Sequence, residues 1–210
     1  SLLNENTIIA GSGALDKSLS EFALENSLGG FEFLSCIPGT IGGGIRMNSG
    51  CFDSEFKDII VSVQAINRQG SILTIPSKDI IFNYRSCSLA KDLIFLSASF
   101  RGYKKKKEKI KEEINNLKTK KEKAQPTKIK TGGSTFKNPI KQTNKKVWEV
   151  IKESVPQDTQ FGDAIISEKH ANFFINKDNA SYKDMKKLID FVKEKVKSKT
   201  GLDLDLEIIL

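Results

Sequence analysis

Ile37-Pro-Gly-Thr-Ile-Gly-Gly-Gly-Ile-Arg-Met-Asn-Ser-Gly50 is the stretch on which the reading of this chain turns. Five of its fourteen residues are glycine, and Gly42, Gly43 and Gly44 are consecutive. Three glycines in a row weaken any regular element, so something other than local propensity must want backbone here. The usual reasons are a positive φ or a ligand lying against bare main chain. Thr40 and Asn48 add short hydrogen-bonding side chains. Two readings follow: a loop aiming several N–H groups at an anion such as a pyrophosphate, or a tight crossover between elements.

Working outward, 210 residues suffice for a sizeable core in one or two domains. Apolar residues make up 38% and charged residues 29%, as in globular proteins with a polar surface. No apolar run approaches the roughly 18 residues of a membrane span. The start, Ser1-Leu-Leu-Asn-Glu-Asn6, has neither the charged nor the apolar region of a signal peptide, so a cytoplasmic location is expected. It also lacks an initiator Met, so the natural chain is expected to begin upstream. Cys36, Cys51 and Cys87 form no CxxC spacing, which argues against zinc or a disulfide framework and for three reduced, half-buried thiols. His170 is the only base of its type available to a Cys nucleophile. A net charge of +8 favours anionic partners. Much of the surplus lies in residues 104–107 and 118–123, where no aromatic interleaves as a single-strand platform would require.

The order of elements is α+β. Residues 7–10 predict a short strand and 16–28 a helix, with Leu15, Leu19, Phe22 and Ala23 at helical spacing. Gly11-Ser-Gly-Ala-Leu-Asp-Lys-Ser18 nearly matches a phosphate-binding P-loop, but Asp16 replaces the second glycine and would repel phosphate. Residues 59–67 and 71–75 predict a hairpin, 77–82 a helical turn, and 93–103 a strand with Ile94, Leu96, Ala98 and Phe100 on one side. Composition shifts at Lys104. There an amphipathic surface helix with Ile110, Ile114 and Leu117 begins, closed by Pro126. Next come a turn-rich loop at 130–139, a helix at 147–154 and strands at 164–166 and 171–176. A helix capped by Ser181 presents Tyr182, Met185, Leu188, Ile189, Val192 and Val196 and stops at Gly201. Residues 202–208 alternate as a half-buried strand.

On their own terms, several residues carry two readings. Ser134 is either a turn serine or a hydroxyl that donates a proton to a developing carbanion. Arg85 is either a surface ion pair or a bidentate carboxylate ligand. Glu207 shares a strand face with Asp203 and Asp205, which predicts exposure.

The motifs Pro38-Gly-Thr-Ile-Gly-Gly43, Met47-Asn-Ser-Gly50, Asn83-Tyr-Arg-Ser86, Gly133-Ser-Thr-Phe-Lys-Asn-Pro139, Ser167-Glu-Lys-His170 and Leu206-Glu-Ile-Ile209 occur in one order along nearly the whole chain. In that order they resemble the UDP-N-acetylenolpyruvoylglucosamine reductases, flavoenzymes of cell-wall precursor synthesis, and their second type, which lacks a tyrosine-bearing loop. The resemblance implies the C-terminal part of an FAD-binding α+β domain at 1–103 and a smaller α+β substrate-binding domain at 104–210. The family's N-terminal flavin-binding subdomain is expected upstream of Ser1. FAD and NADPH are the implied cofactors and a UDP-sugar enol ether the substrate. Nucleic acid, membrane and obligate protein partners are not implied. Pro38, Gly39, Thr40, Gly42, Gly43, Asn48 and Gly50 would contact flavin. Arg85, Ser134 and Glu207 would be catalytic. Tyr84, Lys137, Asn138, Lys169 and His170 would bind substrate. Gly44 and Cys51 depart from the Ala common in the family, and Phe161-Gly-Asp-Ala164 lacks its paired glycines. The competing class is a polyanion-binding module acting through the basic helix, which mutation of its lysines and salt-dependent retention of nucleic acid would reveal.

Overall fold

The computed structural model describes residues 1–126 and 129–210, which form two units, Ser1–Lys121 and Glu122–Leu210. Strands β1 (Leu2–Asn4) and β2 (Thr7–Gly11) lead to helix α1 (Asp16–Glu25) and the short helix α2 (Ile41–Met47). The hairpin of β3 (Ile60–Ile66) and β4 (Ile72–Pro76) follows, then β5 (Ile94–Arg101) and helix α3 (Lys107–Ala124). The second unit contains β6 (Thr131–Ser134), α4 (Val147–Ser154), β7 (Gln160–Phe161), β8 (Ala164–Ile166), β9 (Phe173–Asn176) and α5 (Tyr182–Thr200).

The first sheet is antiparallel in the order β1-β2-β5-β3-β4. Its core face carries Val63, Ala98 and Phe100, packed in one cluster with Leu19, Ala23, Ile41 and Ile45. The alternation expected along β5 does not hold throughout. Phe95 pairs with Ala65 and Ser97 with Gln64, so the strand bulges at Leu96. The bulge switches faces: Phe95 joins the core, while Ile94 is 65% exposed. One interruption of a period of two therefore moves the first half of an apolar row to the other side.

Helix α3 belongs with the first unit by its contacts, although the composition shift at Lys104 suggests a boundary before it. Lys105 bridges Glu32 and Glu113, and Lys121 Nζ donates to the Cys36 carbonyl at 2.6 Å. Ile110 and Ile114 are buried along it as its apolar stripe predicts.

In the second unit the sheet order is β6-β9-β8-β7. Phe136, Val150, Ile151, Leu188, Val192 and Val196 share its core. Ser181 caps α5 reciprocally: its Oγ accepts from the Asp184 N–H at 3.2 Å, and Asp184 Oδ2 accepts from the Ser181 N–H at 2.9 Å. Tyr182 is 61% exposed rather than in the apolar face, because it begins the helix at its open end. The predicted strand at 202–208 is absent as a ladder; only Phe136 and Leu206 bridge. Gln142 takes the Asp203 backbone through its carboxamide, donating at 2.9 Å and accepting at 3.0 Å, so a side chain replaces the neighbouring strand.

The three consecutive glycines are helical rather than looped, and their φ angles are not positive. Gly44 is required by packing: a Cβ there would lie 2.3 Å from the ring of Phe56, which is fully buried. At Gly43 a Cβ would meet only Thr40 Oγ1, at 3.6 Å. Gly44→Ala should therefore lower stability by about 1–3 kcal/mol, the usual cost of overpacking. Gly43→Ala should raise it by up to about 1 kcal/mol, since alanine is the better helix former. Thermal melts of the two variants should shift in opposite directions; equal shifts would show that Phe56 yields freely.

Candidate active site

The glycine segment exposes main chain on one side. Thr40 caps α2, its Oγ1 accepting from the Gly43 N–H at 3.4 Å, and the helix ends on Asn48 in the left-handed region (φ 42°). Pro38 and Gly43 are exposed and Gly39, Thr40, Gly42 and Gly50 half-buried. Asn48 is fully buried. Its Nδ2 donates to Glu55 Oε2 at 3.0 Å and the Asn83 carbonyl at 3.2 Å, and its Oδ1 accepts from the Lys57 N–H at 3.0 Å. With its amide engaged on protein from both ends, Asn48 acts as a strut joining the glycine segment to the hairpin that carries Arg85.

That hairpin pairs Phe82–Asn83 with Ser86–Cys87, leaving Tyr84 and Arg85 as the turn. Arg85 adopts φ 55°, where a non-glycine residue is uncommon. Its guanidinium lies 4.9 Å from the Tyr84 ring centroid and donates to the Gly50 carbonyl at 3.3 Å. The fold thus brings Arg85, Tyr84, Asn48 and Gly50 together from motifs separated by more than thirty residues.

In the second unit, Ser134 is not in an open loop. It ends β6, opposite Phe173, after a register shift in which Gly133 takes φ 85°. Both Ser134 and Glu207 are half-buried, and they are linked through Thr135, whose carbonyl accepts from the Glu207 N–H at 2.9 Å. Asn138 Oδ1 accepts from the Val147 N–H at 2.9 Å, so this residue helps cap α4. Lys137 is half-buried, and its N–H donates to the Asp205 carbonyl at 2.9 Å. Lys169 Nζ donates to the Glu122 carbonyl. His170 lies between the rings of Trp148 (6.1 Å) and Phe173 (4.8 Å) and accepts from the Asn172 N–H at Nδ1. Burial holds its pKa below the ordinary value.

Sequence reasoning missed three structural contributors. Arg46 donates to the carbonyls of Leu89 (2.8 Å), Ala90 (3.1 Å) and Leu93 (3.1 Å) and stacks on Phe95 at 4.3 Å. Asn172, 2% exposed, binds both backbone groups of Phe136. Asp16, noticed only as an obstacle to phosphate, is fully buried with neither carboxyl oxygen hydrogen-bonded. No local pattern marks Arg46 or Asn172, since their partners are distant in sequence. The cysteines are free thiols as expected, with Cys36 buried outright. A hydrogen bond from Cys51 draws the Cys36 thiol down to about 6; the same contact and burial push Cys51 upward.

Residues 3–76 match the family described as FAD binding domain, and residues 125–210 match the UDP-N-acetylenolpyruvoylglucosamine reductase, C-terminal domain, family. The UDP-N-acetylenolpyruvoylglucosamine reductase of Pelagibacter ubique is 64% identical over 99% of this chain and 69% of its own length. This chain belongs to the UDP-N-acetylenolpyruvoylglucosamine reductase family. The Rickettsia typhi reductase is 44% identical over 97% of the chain and 68% of its own length. The crystal structure of the Thermus caldophilus reductase superposes with a TM-score of 0.85 at 28% identity, covering 99% of this chain and 73% of that one. The α+β class expected from the sequence is the one this family has. The bare backbone at Gly43, which its own packing does not demand, suits a flat ligand such as a flavin against the reductase's α2.

Asp16 makes a test of the wall behind this face, since Gly39 packs against it: a Cβ on Gly39 would lie 3.0 Å from Asp16 Oδ2. Burial raises its pKa from 3.8 to about 7. The folded state therefore holds this proton where the unfolded chain releases it, and stability falls as pH rises from about 4 to 7. The full deficit above that window is on the order of 4 kcal/mol. Asp16→Asn should flatten this decline in melting temperature, leaving the other carboxylates' contribution. Parallel pH profiles for the parent and the variant would show that Asp16 does not hold a proton.

Proposed function

We propose that the protein performs the NADPH-driven, flavin-dependent reduction of UDP-N-acetylenolpyruvoylglucosamine to UDP-N-acetylmuramate, a step of peptidoglycan precursor synthesis in the cytoplasm. What carries this reading is the pairing, in one chain and one order, of an FAD-binding segment with a reductase C-terminal domain. The alternative of a basic polyanion-binding module has no comparable support. Residues 1–103, with α3 packed on them, would serve flavin, and the second unit, Glu122–Leu210, substrate. This activity would serve cell-wall growth, and with it cell shape and division.

Pro38, Gly39, Thr40, Gly42, Gly43 and Gly50 would hold FAD, with Asn48 bracing them. When bound, the flavin would supply hydride transfer, with NADPH as the source of electrons. The chain's own groups would manage charge and protons. Arg85 would place fixed positive charge at the enolpyruvyl carboxylate, where negative charge grows during reduction. Ser134 would give its hydroxyl proton to the neighbouring substrate carbon, and Glu207 would assist from the same strand frame. Tyr84, Lys137, Asn138, Lys169 and His170 would orient the UDP-sugar. Asn138 would do so with its Oδ1 already committed to α4, and His170 with its Nδ1 facing the Asn172 N–H.

Ser134→Ala tests the assignment. In a form of the protein spanning the whole length of its relatives, NADPH should still reduce the flavin at the parent rate. Reoxidation by the enol ether should slow by on the order of 10²-fold or more, the scale for losing a positioned acid. Ser134→Cys should keep part of the rate, because a thiol can also donate. Stopped-flow absorbance separates the two half-reactions, and unchanged reoxidation would move the proton donor elsewhere, with Glu207 next.

A further inference from the structure

Buried asparagine side chains need partners for both ends of the carboxamide, and what Asn172 chooses is informative. The residue is 2% exposed. Its Nδ2 donates to the Phe136 carbonyl at 2.8 Å, and its Oδ1 accepts from the Phe136 N–H at 2.9 Å. Its own carbonyl accepts from the Thr135 N–H at 2.8 Å, and its own N–H donates to His170 Nδ1 at 3.3 Å. The carboxamide presents to Phe136 the donor and acceptor that a neighbouring strand would present. It does so immediately after Ser134, where the β6–β9 ladder ends.

On its other edge the same segment holds the C-terminal chain. The Thr135 carbonyl accepts from the Glu207 N–H at 2.9 Å, and Phe136 bridges Leu206. Thr135 and Phe136 are themselves 2% and 1% exposed, so their amide groups have no recourse to water. Ser134 and Glu207 thus share one frame, and that frame is closed by a single side chain from the loop before β9.

We propose that Asn172 is a positioning residue of the reductase, fixing Ser134 and Glu207 relative to each other through the Thr135–Phe136 backbone. This rests on the reading of Ser134 as proton donor. A displacement of about 1 Å at a reacting group can cost on the order of 10²-fold in rate, so a clamp two residues away is enough to govern proton transfer. Asn172 touches no reacting atom; it acts through backbone alone.

The test uses Asn172→Ala, Ser134→Ala and the double variant in a form of the protein spanning the whole length of its relatives. Asn172→Ala should slow flavin reoxidation by the enol ether by on the order of 10- to 100-fold and leave flavin reduction by NADPH within about twofold. Amide exchange at Thr135, Phe136 and Glu207 should quicken. The double variant should reoxidise no more slowly than Ser134→Ala alone, because both changes remove the same proton transfer. Losses that multiply would overturn the proposal, as would parent-like reoxidation in Asn172→Ala beside a slow Ser134→Ala. Parent-like Ser134→Ala would instead overturn the proton-donor reading, and the proposal with it. Asn172→Asp keeps shape and acceptor and serves if the alanine variant does not fold. Its carboxyl can replace the lost donor only when protonated, so reoxidation should recover as pH is lowered. A reoxidation rate flat with pH would overturn the proposal.

Discussion

The ring of Phe56 reaches the underside of α2 only because Gly44 has no Cβ, and much of the first unit depends on that approach. Phe56 meets Phe33 edge-on at 6.4 Å and Phe100 at 5.9 Å, so one residue ties the helix to the segment before the glycines and to the central strand β5. Aromatic pairs of this geometry add roughly 0.5–1.5 kcal/mol each beyond their area. The consequence for function is geometric. With α2 drawn down onto Phe56, its opposite side at Gly43 and the turn at Pro38–Thr40 stand out as bare backbone. A glycine required by the core and a glycine that packing leaves unconstrained are thus adjacent residues of one short helix.

Backbone groups elsewhere are satisfied by side chains imitating strands. Gln142 pairs with the Asp203 backbone, Asn172 with Phe136, and Asn48 takes the Lys57 N–H and the Asn83 carbonyl. Each occurs where a ladder would have to bend to place a motif: the C-terminal segment, the strand end at Ser134, the hairpin at Arg85. Primary amides suit this use, since they alone offer a neutral donor and acceptor in the spacing of a peptide group. Buried and fully paired, such groups specify one arrangement, because any slip leaves two polar atoms unsatisfied.

These devices explain what could be read beforehand. Helices α1, α4 and α5 and the β3–β4 hairpin follow from local periodicity and caps, and the structure places them within a few residues of expectation. Motif order pointed to the family because each motif is short and contiguous. What local pattern could not yield were events decided by distant partners. The bulge at Leu96 depends on β3, the helical state of Gly42–Gly44 depends on Phe56, and the lost ladder at 202–208 depends on Gln142. Charge was equally opaque. The lysine-rich stretch reads as a solvated face, yet Lys105 closes an ion pair with Glu32, the two side chains being 14% and 8% exposed. Removing one partner of such a buried pair costs far more than losing a surface bridge.

Two of the five non-glycine residues with positive φ among the described residues lie in the motifs. Asn48 and Arg85 both occupy the left-handed region, at φ 42° and 55°. Asparagine tolerates it, since its short side chain can bond locally, and here that side chain is engaged in a buried network. A non-glycine residue held there costs about 1–3 kcal/mol. Glycine would remove that cost, and the turn itself would lose nothing by the exchange. The cost is therefore attached to the side chain, whose guanidinium is stacked on Tyr84 and aimed at the Gly50 carbonyl. A positive φ at this turn sets the direction in which Cα–Cβ leaves the hairpin, and so where the cation stands beside the glycine segment. The turn conformation and the placement of the cation are thus one geometric fact.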